Sequence, residues 1–248
     1  MIEQEREQLP RPWSVRQLET LARVSRPIRR RLTPGQFKET YVNRALARFD
    51  HPRLYLEIGI REGDSFRLAR ADRKIGIDPE RMRAFGTVRP GELYFEQTSD
   101  QFFGTHALDI LEPASIHVAL IDGLHEFRQA LRDLSNLEPY MHRGGVVILD
   151  DCNPRTAERG SETPIGGAWN GDVWKVPALL LELRPDLRTA TVDADEGIGV
   201  VSGFGTATMP PDEAEVERFK ALSYDHLAAN RTALLNLVPP AAFDSLLP

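Results

Sequence analysis

The chain has one cysteine, Cys152, in 248 residues, so an internal disulfide is excluded and cysteine usage gives no sign of an oxidising compartment. It has no run of the ~18 apolar residues that a membrane-spanning helix requires. Its first residues, MIEQEREQLPRPW, lack the apolar stretch of a secretory signal. These absences predict a cytoplasmic protein without membrane association. An excess of positive charge is missing too: 31 Lys and Arg stand against 37 Asp and Glu, for a formal net charge of −6, which leaves no electrostatic footprint for nucleic acid. The local basic cluster Arg29, Arg30 and Arg31 has no interleaved aromatics to stack on bases and reads as a solvated helix face. A small or neutral partner molecule fits this balance better. No internal repeat or low-complexity tract interrupts the chain.

What is present is an alternation of short apolar runs with helical patterns, the signature of parallel strands joined by crossover helices. It occupies residues 51–205. Residues 1–50 read as a helical extension, because Val15, Leu18, Leu21 and Ala22 recur at helical spacing and residues 41–49 carry a second apolar face. Residues 206–248 read as a helical tail packing on the core, roughly over 212–237. Within the core, strands are predicted at 54–58, 74–78, 93–96, 116–122 and 145–150, and a helix at 126–141 turns Phe127, Ala130, Leu131, Leu134 and Leu137 towards the sheet. Two further strands, 187–192 and 198–201, flank Asp193-Ala194-Asp195-Glu196-Gly197. That connection is too short for a crossover helix, so the last strand must run antiparallel to its neighbour.

In a doubly wound sheet ligands sit beyond the carboxyl ends of the strands, where the first strand-to-helix turn lies. Here that turn is Glu57-Ile58-Gly59-Ile60-Arg61-Glu62-Gly63, within LYLEIGIREGDSF. Gly59 permits close approach of a ligand to the backbone, and Gly63 permits a positive φ entering the next helix. Asp78 ends the second strand 21 residues after Glu57, where an acid reaches ribose hydroxyls in nucleoside-binding sheets. The turn lacks the three glycines that cradle a pyrophosphate, so a nucleoside without phosphate, such as a sulfonium nucleoside, fits it. The competing structural reading is a plain turn glycine and a helix-capping Asp78.

The fourth and fifth strands both end in acids: Asp122 in ALIDGLHEF, and Asp150 with Asp151 in VVILDDCNP. Neighbouring parallel strands lie ~4.8 Å apart, so these carboxylates can reach one cation, and an all-oxygen set suits Mg²⁺ or Mn²⁺. No Cys/His set with zinc spacing is present. Alternatively Asp122 caps the helix that opens near Glu126. His125, with an ordinary pKa of ~6.5, is placed to act as a general base or simply to bond a backbone carbonyl. Cys152 beside the acids reads as a small buried residue. The long segment 153–172, with Gly160, Gly166, Gly167 and Gly171, leaves the fifth strand as a lid over the site, bringing Trp169, Trp174 or Lys175 to an acceptor. Trp174 reads equally well as core packing.

Together the first-turn pattern and the reversed seventh strand resemble class I S-adenosylmethionine-dependent methyltransferases. The resemblance implies a Rossmann-like, mostly parallel seven-stranded sheet with an antiparallel last strand. It implies further that Glu57 and Gly59 lie near the methionine part of the cofactor, that Asp78 binds ribose, that Thr98, Ser99 and Asp100 border adenine, and that Gly63, Ser65 and Asp122 also belong to the cofactor site. I-D-G-x-H, G-G-V-V-I-L-D-D and G-I-G-V-V, across residues 51–203, resemble the divalent-metal-dependent O-methyltransferases that act on sugars of macrolide and aminocoumarin antibiotics. That likeness implies Mg²⁺ or Mn²⁺ on Asp122, Asp150 and Asp151, with His125 and Asp122 as catalytic residues. The acceptor is then a hydroxyl of a sugar, glycoside or other natural product. Metal-independent methylation and a non-catalytic cofactor-binding subunit stay open as alternatives. The fourth strand lacks the Asn/Asp-Pro-Pro-aromatic motif of many enzymes that methylate nitrogen in nucleic acid. A homodimer is expected on general frequency alone.

Overall fold

A computed structural model describes residues 37–164, 169–205 and 211–248. The helix expected around Val15 to Ala22 and the cluster Arg29 to Arg31 lie outside the described residues. The first described element is α1 (Lys38–Leu46), followed by β1 (Leu54–Ile58), α2 (Asp64–Leu68), β2 (Arg73–Asp78) and β3 (Glu92–Glu96). Next come α3 (Ser99–Thr105), α4 (Ala107–Ile110), β4 (Ile116–Ile121), α5 (Phe127–Leu137) and β5 (Met141–Leu149). The chain continues with α6 (Lys175–Leu183), β6 (Arg188–Val192) and β7 (Ile198–Ser202), then α7 (Glu213–Lys220), α8 (Tyr224–Leu234), β8 (Leu237–Val238) and α9 (Phe243–Leu246).

These strands form one sheet in the order β3-β2-β1-β4-β5-β7-β6-β8. The predicted hairpin places β7 antiparallel to both β5 and β6, while β1 to β5 pair in parallel. The sheet has eight strands among the described residues, one more than expected: Leu237 and Val238 pair in parallel with Thr191 and Val192. The tail is also two helices rather than one, because the Ser223 hydroxyl accepts the His226 N–H and so starts α8 afresh.

Each face of the sheet is covered by a different apolar set. Phe127, Ala130, Leu131, Leu134 and Leu137 of α5 join Leu56, Ile121 and Leu149 on one side. On the other, Tyr41, Val42, Ala45 and Leu46 of α1 pack with Tyr55, Val118, Leu120, Val146 and Ile148. Those four α1 side chains have no exposure. Their burial fixes α1 on the sheet with a stabilisation on the order of 5 kcal/mol.

The strand order reverses between β1 and β4, which opens a crevice at their carboxyl ends. Ladder hydrogen bonds continue past the strands. The Gly59 N–H donates to the Ile77 carbonyl (2.9 Å), Asp122 N–H to Ile58 (2.8 Å) and Asp150 N–H to Ile121 (3.0 Å). Gly59, Asp122 and Asp150 therefore stand side by side on the functional edge.

Candidate active site

A cavity of about 360 Å³ opens at this edge. Gly59, Asp78, Thr98, Ser99, Asp100 and Asp122 line it together with Ile58, Ile77, Leu124, Gln129 and Asp133. Its volume and mixture of apolar wall with few polar groups suit a small organic ligand. Asp78 does not cap a helix. Its Oδ2 accepts the N–H groups of Ile60 (2.7 Å) and Arg61 (2.9 Å), and its Oδ1 accepts that of Glu80 (2.9 Å). A carboxylate has about four acceptor positions, so one remains for a ribose hydroxyl after the turn is tied.

Glu57, Gly63 and Ser65 do not line the cavity; they hold the turn beneath it. Glu57 is fully buried and accepts from the Tyr55 hydroxyl (2.6 Å) and the Ser65 hydroxyl (2.5 Å). Burial outweighs those bonds and pushes its carboxyl up to about 8. The role of Gly59 also differs from a purely ligand-directed one. Its φ is +87°, and a Cβ there would lie 2.0 Å from the Asp122 carbonyl oxygen. The glycine lets the ends of β1 and β4 close together.

Beyond Asp122 lies a second group of charged side chains. The Lys38 ammonium, buried at the start of α1, donates to Asp122 Oδ2 and, at 2.5 Å, to Asp150 Oδ2. Burial opposes its charge, but Asp122 and Asp150 outweigh that and hold the ammonium well above its usual value. His125 Nε2 lies 3.4 Å from Asp122 Oδ1 and 3.2 Å from Asp151 Oδ2, while Nδ1 meets the Trp169 carbonyl at 3.0 Å. Burial disfavours the imidazolium, yet Asp122 and Asp151 lift His125 to about 9. His125 and Asp151 both adopt positive φ, 54° and 62°. Such conformations persist where surroundings enforce them, and they are frequent at functional sites.

The donor set fits a hard divalent ion. One ligand atom from each of Asp122, His125 and Asp151 lies within 4.8 Å of the others. Asp150 Oδ1 and Asn170 Oδ1 are buried without a hydrogen-bond partner among the described residues. Such orphaned oxygens are costly unless a cation or donor meets them. The grouping differs in one respect from the three expected acids: His125 stands with Asp122 and Asp151 in place of Asp150, one oxygen of which meets Lys38.

Residues 56–152 match the family of methyltransferase domains. This part of the core is similar to methyltransferase domains. Among solved structures, a Corynebacterium glutamicum protein is similar at a TM-score of 0.51 and 13% identity, over 77% of this chain and 92% of that one. A methyltransferase from Geobacter sulfurreducens has 17% identity and a TM-score of 0.45, over 80% and 92% of the two chains. The first likeness is one of fold. No curated protein matches the chain.

The segment after β5 is tied down at both described ends. Cys152 is buried, and its N–H and that of Asn153 donate to the β6–β7 connection at Gly197 (2.9 Å) and Glu196 (2.8 Å). Further on, Gly171 has φ +65°, and a Cβ there would lie 1.7 Å from the His125 carbonyl oxygen. Gly166 and Gly167 are outside the described residues. Of the three expected acceptor contacts only Trp169 reaches the cluster, stacking on His125 at 5.5 Å. Trp174 is a correction: it is 1% exposed and packs against Leu227 and Leu235 of the tail. Lys175 is another. It pairs with Asp172 at 3.1 Å and donates to the Lys220 carbonyl, because the start of α6 turns under the tail rather than towards the acids.

Four contributors went unseen in the sequence. Lys38 and Asn170 touch the acids, Asp172 rather than Asp122 accepts the first N–H of α5 (2.6 Å), and Asp133 lines the cavity from the buried face of α5. Only Asp133 carried a signal, an acid between Leu131 and Leu134 on a face otherwise apolar. Nothing distinguished Lys38 from a solvated lysine at a helix start.

Proposed function

We propose that this protein transfers the methyl group of S-adenosylmethionine to a hydroxyl oxygen of a small molecule, such as a sugar or glycoside, assisted by Mg²⁺ or Mn²⁺. The observation that carries this reading is the double position of Asp122. With Gly123 and Leu124 it lines the cofactor cavity on one side and borders the acid and histidine cluster on the other. A donor in the cavity and an acceptor at the acids would face each other across one wall, so that positioning does much of the catalytic work.

Asp122, Asp150 and Asp151, with His125 beside them, are the residues that would hold the ion, which supplies positive charge favouring alkoxide over hydroxyl. The protein's own part is to orient and to accept a proton. The Trp169 carbonyl accepts from His125 Nδ1, so with the ion held by the three acids alone Nε2 stays off it and is the atom that exchanges a proton with the site. The acceptor O–H bond breaks, its proton goes to Nε2, and the oxygen forms a bond to the methyl carbon as the carbon–sulfur bond breaks. The base must be neutral to do this. With its carboxylates lifting it to about 9, His125 reaches that form near neutral pH only when another cation meets the charge of Asp122 and Asp151.

The test is incubation with S-adenosylmethionine, Mg²⁺ and a panel of sugars, glycosides and phenols. Methylated product and S-adenosylhomocysteine should form in equal amounts, and EDTA should stop the reaction. Failure to bind S-adenosylmethionine in calorimetry would sink the reading. Turnover that EDTA leaves unchanged would favour methylation without an ion, a second reading that Lys38 supports by already placing a positive charge between Asp122 and Asp150.

A further inference from the structure

The first described helix delivers a cation into the place where a divalent ion is needed. Lys38 is 6% exposed, and its ammonium touches one oxygen each of Asp122 and Asp150, residues 84 and 112 positions away in the chain. A lysine is rarely this buried unless paired, and removing one partner of a buried ion pair leaves an uncompensated charge. The contact is not loosely held at its base. Tyr41, Val42, Ala45 and Leu46 fix α1 to the sheet without exposure, so the residue's backbone stays and only its four-carbon side chain is free to swing.

The oxygens not used by Lys38 are those a metal would want next. Asp150 Oδ1 and Asn170 Oδ1 are buried without a partner among the described residues, and Asp122 Oδ1 and Asp151 Oδ2 face His125. A divalent ion drawn to them would sit within a few ångströms of the ammonium, where like charges in a poorly solvated site repel strongly. The two cations are therefore alternative occupants.

We propose that Lys38 is a tethered cation that fills the acid cluster when no divalent ion is bound, and that ion loading requires its side chain to be displaced. This inference rests on the divalent-ion reading given above. It makes Lys38 a positioning residue that keeps Asp122 and Asp150 together in the ion-free protein and sets how tightly an ion is held.

The experiment uses the full chain and Mn²⁺ as the probe. Titration followed by electron paramagnetic resonance should show Mn²⁺ binding at least tenfold tighter in Lys38→Met than in the unaltered protein, since the competitor is gone. Because that variant leaves two buried acids facing each other, a second measurement is made on the unaltered protein. Reductive methylation of amines, read by mass spectrometry, should modify Lys38 several-fold faster in the Mn²⁺-saturated protein than without metal, with other lysines unchanged. Equal or weaker Mn²⁺ binding by the folded variant overturns the inference. So does a Lys38 that stays protected at Mn²⁺ saturation. If neither protein binds Mn²⁺, the ion reading itself falls and takes the inference with it. If the variant does not fold, the labelling result alone decides.

Discussion

The cavity proposed for the donor takes its walls from the turns that directly follow β1, β2, β3 and β4 and from one face of α5, whereas the acid cluster is completed by α1 and by the segment between β5 and α6. On the donor side Asp78 is tied to backbone, through the N–H groups of Ile60, Arg61 and Glu80, and Thr98 through that of Gln101, while Gln129 links Ser99, Asp100 and Asp133. At the acid cluster the polar groups are tied to one another, through Lys38, His125 and Asn170. The Asp78 and Thr98 bonds end on backbone N–H groups, which side-chain substitutions elsewhere leave in place. The acid cluster depends on parts distant in sequence arriving together, so a single substitution alters several partners.

Gly59→Ala should breach both regions at once, because the added Cβ meets the Asp122 carbonyl that separates them. A loss of about 4 kcal/mol or more in stability is expected in denaturant unfolding, at the severe end for point changes. Unaltered unfolding with unaltered cofactor affinity would remove Gly59 as the shared joint. Asp150→Asn should separate the regions instead. Turnover falls ~100-fold or more, since charge stabilisation at the reacting oxygen is lost. Cofactor affinity by calorimetry stays nearly constant, because Asp150 does not line the cavity. Asp78→Ala is the converse. It should weaken S-adenosylmethionine binding about 10-fold or more, as loss of charged hydrogen bonds implies, and leave Mn²⁺ binding nearly unchanged.

The smallest effect sharpens the donor side alone. Burial raises the Asp133 carboxyl to about 6, against bonds from Ser99 and Gln129 that act to lower it. Its folded pKa is above the ordinary carboxylate value. The folded protein therefore binds the extra proton, and this stability is present at low pH and lost as pH rises from about 4 through 6. Asp133→Asn should abolish that slope and gain on the order of 1 to 3 kcal/mol above pH 6, measured as unfolding free energy against pH. An unchanged slope would show that Asp133 stays ionised in the folded protein.

The same contrast explains how much was legible in the sequence. The E-x-G-x-x-x-G turn, the acid ending β2 and the β6–β7 hairpin were readable because each is a contiguous pattern with a backbone consequence. Asp122, Asp150 and Asp151 were readable as acids at the ends of adjacent strands. Their partners were not. Lys38 comes from before the sheet, and Asn170 and Asp172 come from a segment whose path no periodicity dictates. Trp174 and Lys175 failed as acceptor contacts for a related reason. Their surroundings are made by α7, α8 and the residues after it, and sequence spacing near β5 carries no information about what the tail covers.

The two-residue strand β8 bears on how copies of this protein can meet. The Asp193 N–H donates to the Val238 carbonyl (2.8 Å) and the Thr191 N–H to the Leu235 carbonyl (3.0 Å), so these two outward N–H groups at the end of β6 are already used. A second molecule approaching there finds them closed to ladder extension. At the opposite margin β3 is anchored by Glu92, whose buried carboxylate pairs with Arg67 and Lys74, so its first residue is neutralised from within the chain and is not left as an edge charge.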